Sequence, residues 1–165
     1  MPYRQNEGFR KDLRWWEQVA PHLNYQSMMI PHKSGPDTVI EMDASLKWGI
    51  GAVNHHSKEF FLVETPTILK GLPIHCAEMS ALMLVVDVWN GGCIADPQSP
   101  GVGDRNPFKS AETRLYSDNQ AVIQAINNGR ASDEFLCLGM RFVHYQMALV
   151  DGQFTLDYIN TKSNY

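Results

Sequence analysis

The chain is short of cysteine, of basic charge and of long apolar runs, and each shortage narrows what it can be. Only three cysteines, Cys76, Cys93 and Cys137, are spread through 165 residues. Their number is odd and no Cys-x-x-Cys occurs, so neither a disulfide framework nor a zinc knuckle is expected. Cys76 and Cys137 lie in apolar helical stretches and read as small core residues. A reducing intracellular compartment, cytoplasmic or nuclear, fits that usage. No run of about 18 apolar residues is present, so no membrane-spanning helix is expected. The first ten residues are polar and lack the apolar stretch of a secretory signal. Basic charge is scarce as well: 14 Lys and Arg stand against 18 Asp and Glu, a formal net charge of -4. A protein that grips phosphates by charge alone has the opposite balance. A carboxylate site that carries its own divalent cations remains compatible with it, with other domains or subunits supplying much of the affinity for a polyanion. Internal repeats and low-complexity tracts are missing too.

What is present suffices for one domain: 44% of the residues are hydrophobic and 10% aromatic, and the length is too small for two comfortable cores. Phe9, Leu13, Trp16 and Ala20 recur at helical spacing, which predicts a first helix ended by Pro21, with Trp16 in a core. A polar connection from His32 to Asp37 follows. Three strands are expected at Thr38–Ala44, Trp48–Val53 and Lys58–Val63, the last two joined by a hairpin loop over Asn54–Ser57. Gly49 and Gly51 suit a strand that another backbone approaches closely. Pro73 opens a helix over Ile74–Trp89 that is apolar nearly all round and therefore buried on more than one side. Residues 93–112, rich in Pro and Gly, read as a long surface loop. Thr113–Ser117 is a strand, and Asp118 and Asn119 are helix-start residues for a short helix closed at Gly129. Ser132 is the expected cap of the next helix, which Gly152 ends. Phe154, Leu156 and Tyr158 then alternate as a final strand. A hairpin meander leading into a strand–helix–strand crossover makes an α/β, or mixed-sheet α+β, domain of five strands with helices packed on the sheet.

The chemistry suggested by this order lies in its carboxylates. Asp43 ends one apolar strand and Asp118 ends another reached through a helical crossover, which makes the two strands parallel. Ligands bind at the carboxyl ends of such strands. Glu78 lies in the first turns of the crossover helix, which starts at the same end of the sheet if the third strand runs back antiparallel. Three converging carboxylates repel one another unless cations bridge them. Hard oxygen donors suit Mg2+ or Mn2+, and two such ions about 3.5–4 Å apart serve phosphodiester hydrolysis without a side-chain nucleophile. Singly, Asp43 reads equally as a solvated strand end, Asp118 as a helix cap and Glu78 as a first-turn acid favoured by the helix dipole.

Taken in order, the segments Ile-Glu-Met-Asp43-Ala-Ser-Leu-Lys-Trp-Gly-Ile-Gly, His-Cys-Ala-Glu78-Met-Ser-Ala and Leu-Tyr-Ser-Asp118-Asn-Gln resemble the ribonuclease H family, most closely the form found in retroelement reverse transcriptases of the DIRS-type and Ty3-type lineages. Asp12-Leu-Arg-Trp-Trp-Glu resembles the tether that joins polymerase to ribonuclease H in those elements. Tyr158-Ile-Asn-Thr-Lys-Ser-Asn164 resembles the start of the family's terminal motif, with Tyr158 and Thr161 where that motif usually has His and Gly. The resemblance implies a ribonuclease H-like domain over residues 37–165, a tether-like helix and connection over residues 1–36, and a polymerase domain in the parent protein. It implies catalytic and metal-binding roles for Asp43, Glu78 and Asp118, a two-metal Mg2+ or Mn2+ site, and an RNA/DNA hybrid as substrate. Ser45, His75, Asn119 and Gln120 fall at substrate-contacting positions, His75 where the family often has Asn. The family's fourth carboxylate falls beyond Tyr165, so a single bound ion is the expectation for the residues present. Two classes of function follow: an endonuclease acting on the RNA strand of a hybrid, or a ribonuclease H-like module retained as a scaffold or binding domain.

The remaining motifs point to less. His55 and His56 are expected at a polar hairpin tip rather than on a metal. Gly49-x-Gly51 and Gly101-x-Gly103 do not lead from a strand into a helix as a dinucleotide loop must.

Overall fold

A computed structural model describes residues 7–23, 38–91, 106–109 and 112–160. The chain divides into two compact units, Met1–Pro31 and His32–Tyr165. The expected polar connection at 32–37, most of the expected loop at 93–112 and the end of the terminal motif at 161–165 lie outside the described residues.

In the first unit, helix α1 spans Glu7–Leu23 and continues past Pro21. Pro21 therefore does not end it. A proline there forfeits one hydrogen bond within the last turn, where the helix tolerates the loss better than in its middle. The least exposed residues of α1 are Trp15 and Val19, four apart. Trp16 is 51% exposed rather than in a core, and its ring meets that of Trp15 edge-on at 4.9 Å. Phe9 and Leu13 are exposed with it. The buried stripe thus lies one helical position away from the face of Phe9, Leu13, Trp16 and Ala20.

The second unit is a five-stranded mixed sheet in the order β3-β2-β1-β4-β5. Strands β1 (Thr38–Ser45), β2 (Gly49–Asn54) and β3 (Glu59–Val63) form the antiparallel meander, and β4 (Glu112–Ser117) and β5 (Gln153–Tyr158) extend it in parallel on the other side of β1. The strand boundaries move by a residue from those expected. Trp48 is a turn residue, 82% exposed, and Asn54 ends β2 while its Oδ1 accepts from the His56 and Ser57 N–H groups to close the hairpin. Gly49 fills the role foreseen for it: a Cβ there would lie 2.6 Å from the Val63 carbonyl oxygen.

Between β3 and the crossover helix, a 3-10 turn at Thr67–Gly71 inserts Leu69 into the core. Helix α2 runs Ile74–Trp89, with Pro73 at its cap position as expected. It lies between the sheet and α4 (Glu134–Val150), so most of its circumference is covered. Cys76, Ala77, Glu78, Met79, Ala81, Leu82, Val85, Val86 and Trp89 are buried. At the α2–α4 crossing, Met79 sits where a Cβ on Gly139 would have to be, so the glycine sets how closely the two helices approach. Helix α3 (Gln120–Asn128) is pinned to the sheet where the Asn127 amide donates to the Leu156 carbonyl.

Two helix starts position the site. The Asn119 side chain accepts from the Ala121 and Val122 N–H groups, so Asn119, and not Asp118, caps α3. Helix α4 is capped by Asp133, whose carboxylate accepts from the Leu136 N–H. Ser132, the expected cap, lies one residue early. Both Ser and Asp suit the role, and only the helix's actual phase decides between them.

Candidate metal centre

The parallel pairing of β1 with β4 sets Thr38 against Thr113 and Glu41 against Tyr116. Continued two residues further, that register brings Asp118 level with Asp43. Glu78, in the second turn of α2, completes the group. Carboxylate oxygens from Asp43, Glu78 and Asp118 lie within 4.8 Å of one another, close enough to hold one ion. The three carboxylates that the sequence motifs single out are therefore brought together by strand register and by the antiparallel return of β3.

Their environments differ. Asp43 is exposed, Asp118 is half-buried, and Glu78 is buried, at 2% exposure. Oε2 of Glu78 has no hydrogen-bond partner. A buried, unsatisfied carboxyl oxygen costs about 1–3 kcal/mol, and more if charged. Burial pushes the Glu78 carboxyl up to about 8, helped by the negative charges of Asp118 and Asp43 and partly offset by the Ala44 backbone N–H. Asp43 is likewise raised, by desolvation and then by Asp118. The cluster thus resists full ionisation, and the positive charge of a divalent cation would offset these penalties. An all-oxygen donor set with an orphaned buried oxygen fits a hard cation such as Mg2+ or Mn2+.

The other residues singled out from the sequence have identifiable local roles. Ser45 Oγ accepts from the Lys47 and Trp48 N–H groups and shapes the β1–β2 turn, while the Ser45 carbonyl accepts from the Thr65 hydroxyl. Asn119 is the α3 cap and Gln120, exposed, is the first helical residue. Both follow Asp118 directly. His75 is placed one turn before Glu78 on α2, and its Nε2 lies 3.2 Å from Oδ2 of Asp133. At the hairpin, Nε2 of His55 sits 3.2 Å from Oε1 of Glu41, and neither His55 nor His56 joins a metal-binding group among the described residues.

Sequence reasoning missed the association of His75 and Cys76 with Asp133, whose ligand atoms also lie within 4.8 Å of one another. These residues are separated by more than fifty positions, and no local spacing signals their approach. The only available hint was chemical: three metal-ligating residue types near the starts of two helices.

No protein-family model matches the chain, and no curated protein is similar to it in sequence. Solved structures do share its fold. Ribonuclease H1 from the halophilic archaeon Halobacterium salinarum NRC-1 superposes with a TM-score of 0.52 at 13% identity, over 78% of this chain and 89% of that one. The N-terminal ribonuclease H domain of Rv2228c from Mycobacterium tuberculosis, solved as a fusion with maltose-binding protein, gives a TM-score of 0.50 at 13% identity, over 78% and 91%. The five-stranded sheet order, the α2 crossover and these likenesses agree on one architecture: the chain carries the ribonuclease H-like α/β fold.

Proposed function

We propose that this chain is a metal-dependent endonuclease that hydrolyses the RNA strand of RNA/DNA hybrids. The observation that carries the reading is Glu78, a buried carboxyl with an unpartnered oxygen, held within 4.8 Å of two further carboxylates. Natural folds seldom retain such a group unless a cation or a reaction uses it. Asp43, Glu78 and Asp118 would be the ligands of Mg2+ or Mn2+, which when bound neutralises charge at the phosphodiester and favours attack by water. Residues around the carboxylates have the chemistry to hold a nucleic-acid strand. Gln120 offers both an amide donor and an acceptor from an exposed position. The Asn119 carbonyl is occupied by the cap, which leaves its NH2 as the donor. Ser45 supplies a hydroxyl beside the end of β1, and His75 a ring nitrogen one turn before Glu78.

The sequence resemblance further supports placing this domain in a retroelement reverse transcriptase. Residues 1–36 would then be the tether and residues 37–165 the nuclease domain beside a polymerase domain. A net charge of -4 agrees with a module whose grip on the hybrid comes largely from its neighbour.

The test pairs thermal melting with cleavage of a labelled RNA/DNA hybrid, with and without millimolar Mn2+. The wild-type chain should melt higher with metal and cut the hybrid. Asp43→Asn should lose both responses, since one ligand is removed from a site with few to spare. A wild-type chain that neither shifts its melting point nor cuts would favour the scaffold reading. Cleavage that survives Asp43→Asn would place the activity elsewhere.

A further inference from the structure

We propose that His75, Cys76 and Asp133 form a second metal site, distinct from the carboxylate centre, that takes a late first-row divalent ion of the zinc type and ties the start of α2 to the start of α4. His75 and Cys76 are the second and third residues of α2, and Asp133 is the cap of α4. One imidazole nitrogen, one thiol sulfur and one carboxylate oxygen lie within 4.8 Å of one another. The closest pair, His75 Nε2 and Asp133 Oδ2, is 3.2 Å apart. Around a tetrahedral zinc with nitrogen and oxygen ligands at about 2.0–2.1 Å, neighbouring ligand atoms are separated by roughly 3.3 Å. The pair therefore already has the span of two adjacent ligands. The sulfur, with its longer bond of about 2.3 Å, needs only a modest adjustment of the Cys76 side chain to close the third edge.

The donor set selects the ion. A thiolate, a neutral imidazole and a carboxylate suit zinc and its neighbours and are poor ligands for magnesium. A thiolate and a carboxylate together balance a divalent charge, which matters because Cys76 is only 3% exposed. Asp133 is oriented for the purpose: its Oδ1 is fixed by the Leu136 N–H at 3.0 Å, which aims the other oxygen at His75. Such outer hydrogen bonds hold ligands in place at metal sites generally. A bound cation would hold the sulfur as thiolate. The bland alternative is a plain His–Asp hydrogen bond beside a buried cysteine that does no more than pack.

The site's consequence runs along α2. Glu78 follows His75 by one turn, so an ion at His75 and Cys76 would fix the segment that presents Glu78 to Asp43 and Asp118. Zinc-type metals would then act on the carboxylate centre by positioning, while magnesium-type metals occupy it. Binding at the second site does not depend on the nuclease reading, and its test uses no cleavage.

The test is a titration of the metal-free full chain with Co2+, followed by competition with Zn2+. The expected wild-type result is near-ultraviolet thiolate-to-cobalt absorption and the visible bands of a tetrahedral ion, both erased by zinc, whatever further Co2+ the carboxylate centre takes up without a thiolate band. Cys76→Ser should lose the near-ultraviolet absorption. His75→Ala should weaken zinc binding more than about 10-fold, the loss that even an outer-shell change can bring. Asp43→Asn should keep the full spectrum, which separates this site from the carboxylate centre. If Cys76→Ser does not fold by circular dichroism, His75→Gln read by the same spectrum decides instead. No near-ultraviolet band in the wild type, a band that persists in Cys76→Ser, or an affinity unchanged by either His75 variant would each overturn the proposal.

Discussion

Replacing Glu78 by Gln should remove a pH dependence of stability that the buried carboxyl imposes on the metal-free protein. In the folded chain the group titrates at about 8, against an ordinary value of 4.5. The folded state therefore keeps a proton that the unfolded chain releases. This contribution to stability is complete below about pH 4.5 and is lost as pH rises through about 8. A shift of roughly 3.5 units corresponds to about 5 kcal/mol between the two limits, of which about 3 kcal/mol is lost by pH 7. At about 2–4 °C per kcal/mol for a chain of this size, melting should fall by roughly 6–12 °C between pH 4.5 and 7. Asp43, also raised, adds to the slope with the same sign. Gln keeps the shape of Glu78 without the charge, so the Glu78→Gln curve should be flatter and should cross above the wild type near pH 8. Mn2+ should restore the wild type at pH 8 and do little for the variant. The assay is chemical or thermal unfolding of both proteins in chelator from pH 5 to 8. Parallel wild-type and variant curves would refute the assignment of the slope to Glu78, and with it the account of the cluster as a set of mutually repelling, desolvated acids.

Gly139→Ala should destabilise the domain by about 1–3 kcal/mol in urea unfolding, because the added methyl must displace the fully buried Met79 at the α2–α4 crossing; an unchanged midpoint would mean that the helices separate freely. Asn119→Ala should cost about 1 kcal/mol through loss of the α3 cap, yet preserve a Mn2+-induced rise in melting temperature, since Asp118 is retained. Loss of that rise with the fold intact, checked by circular dichroism, would show that the cap residue and the ligand cannot be separated.

The sheet could be read from the sequence because its signals are local and mutually consistent. Alternating apolar runs marked β1 to β3, Asn54 and its neighbours marked a tight return, and an apolar helix after Pro73 required a crossover that sets β4 parallel to β1. The three carboxylates followed from that topology, since each stands at an element end on the same side of the sheet. What escaped was decided by tertiary phase. Ser132 and Asp133 are both good caps, and the packing of α4 on α2 picks the second. Trp15 and Trp16 are adjacent on a helix, 100° apart, so a small error in the chosen face exchanges them. The 3-10 turn at Thr67–Gly71 has no strong periodicity of its own, and Leu69 finds its place only once β3 and α2 are fixed. The approach of Asp133 to His75 and Cys76 arises from helix packing across fifty-eight positions of sequence separation.

Four consecutive residues of α2, Cys76 to Met79, are buried, a run possible only because the helix is covered on both sides. The amides in the middle of the helix should therefore have no ready route to solvent by local fraying. Their hydrogen exchange should require the whole domain to open, so that the slowest amides of α2 report global stability directly. The segment Asp118–Asn119, half-buried just past the carboxyl end of β4, should exchange through smaller openings. Of the carboxylates that meet at the centre, Glu78 should then be anchored in a part that opens late and Asp118 in a part that opens earlier. Occupancy of the site by a cation would then appear as slowed exchange at Asp118 and Asn119 well before it altered that of Glu78.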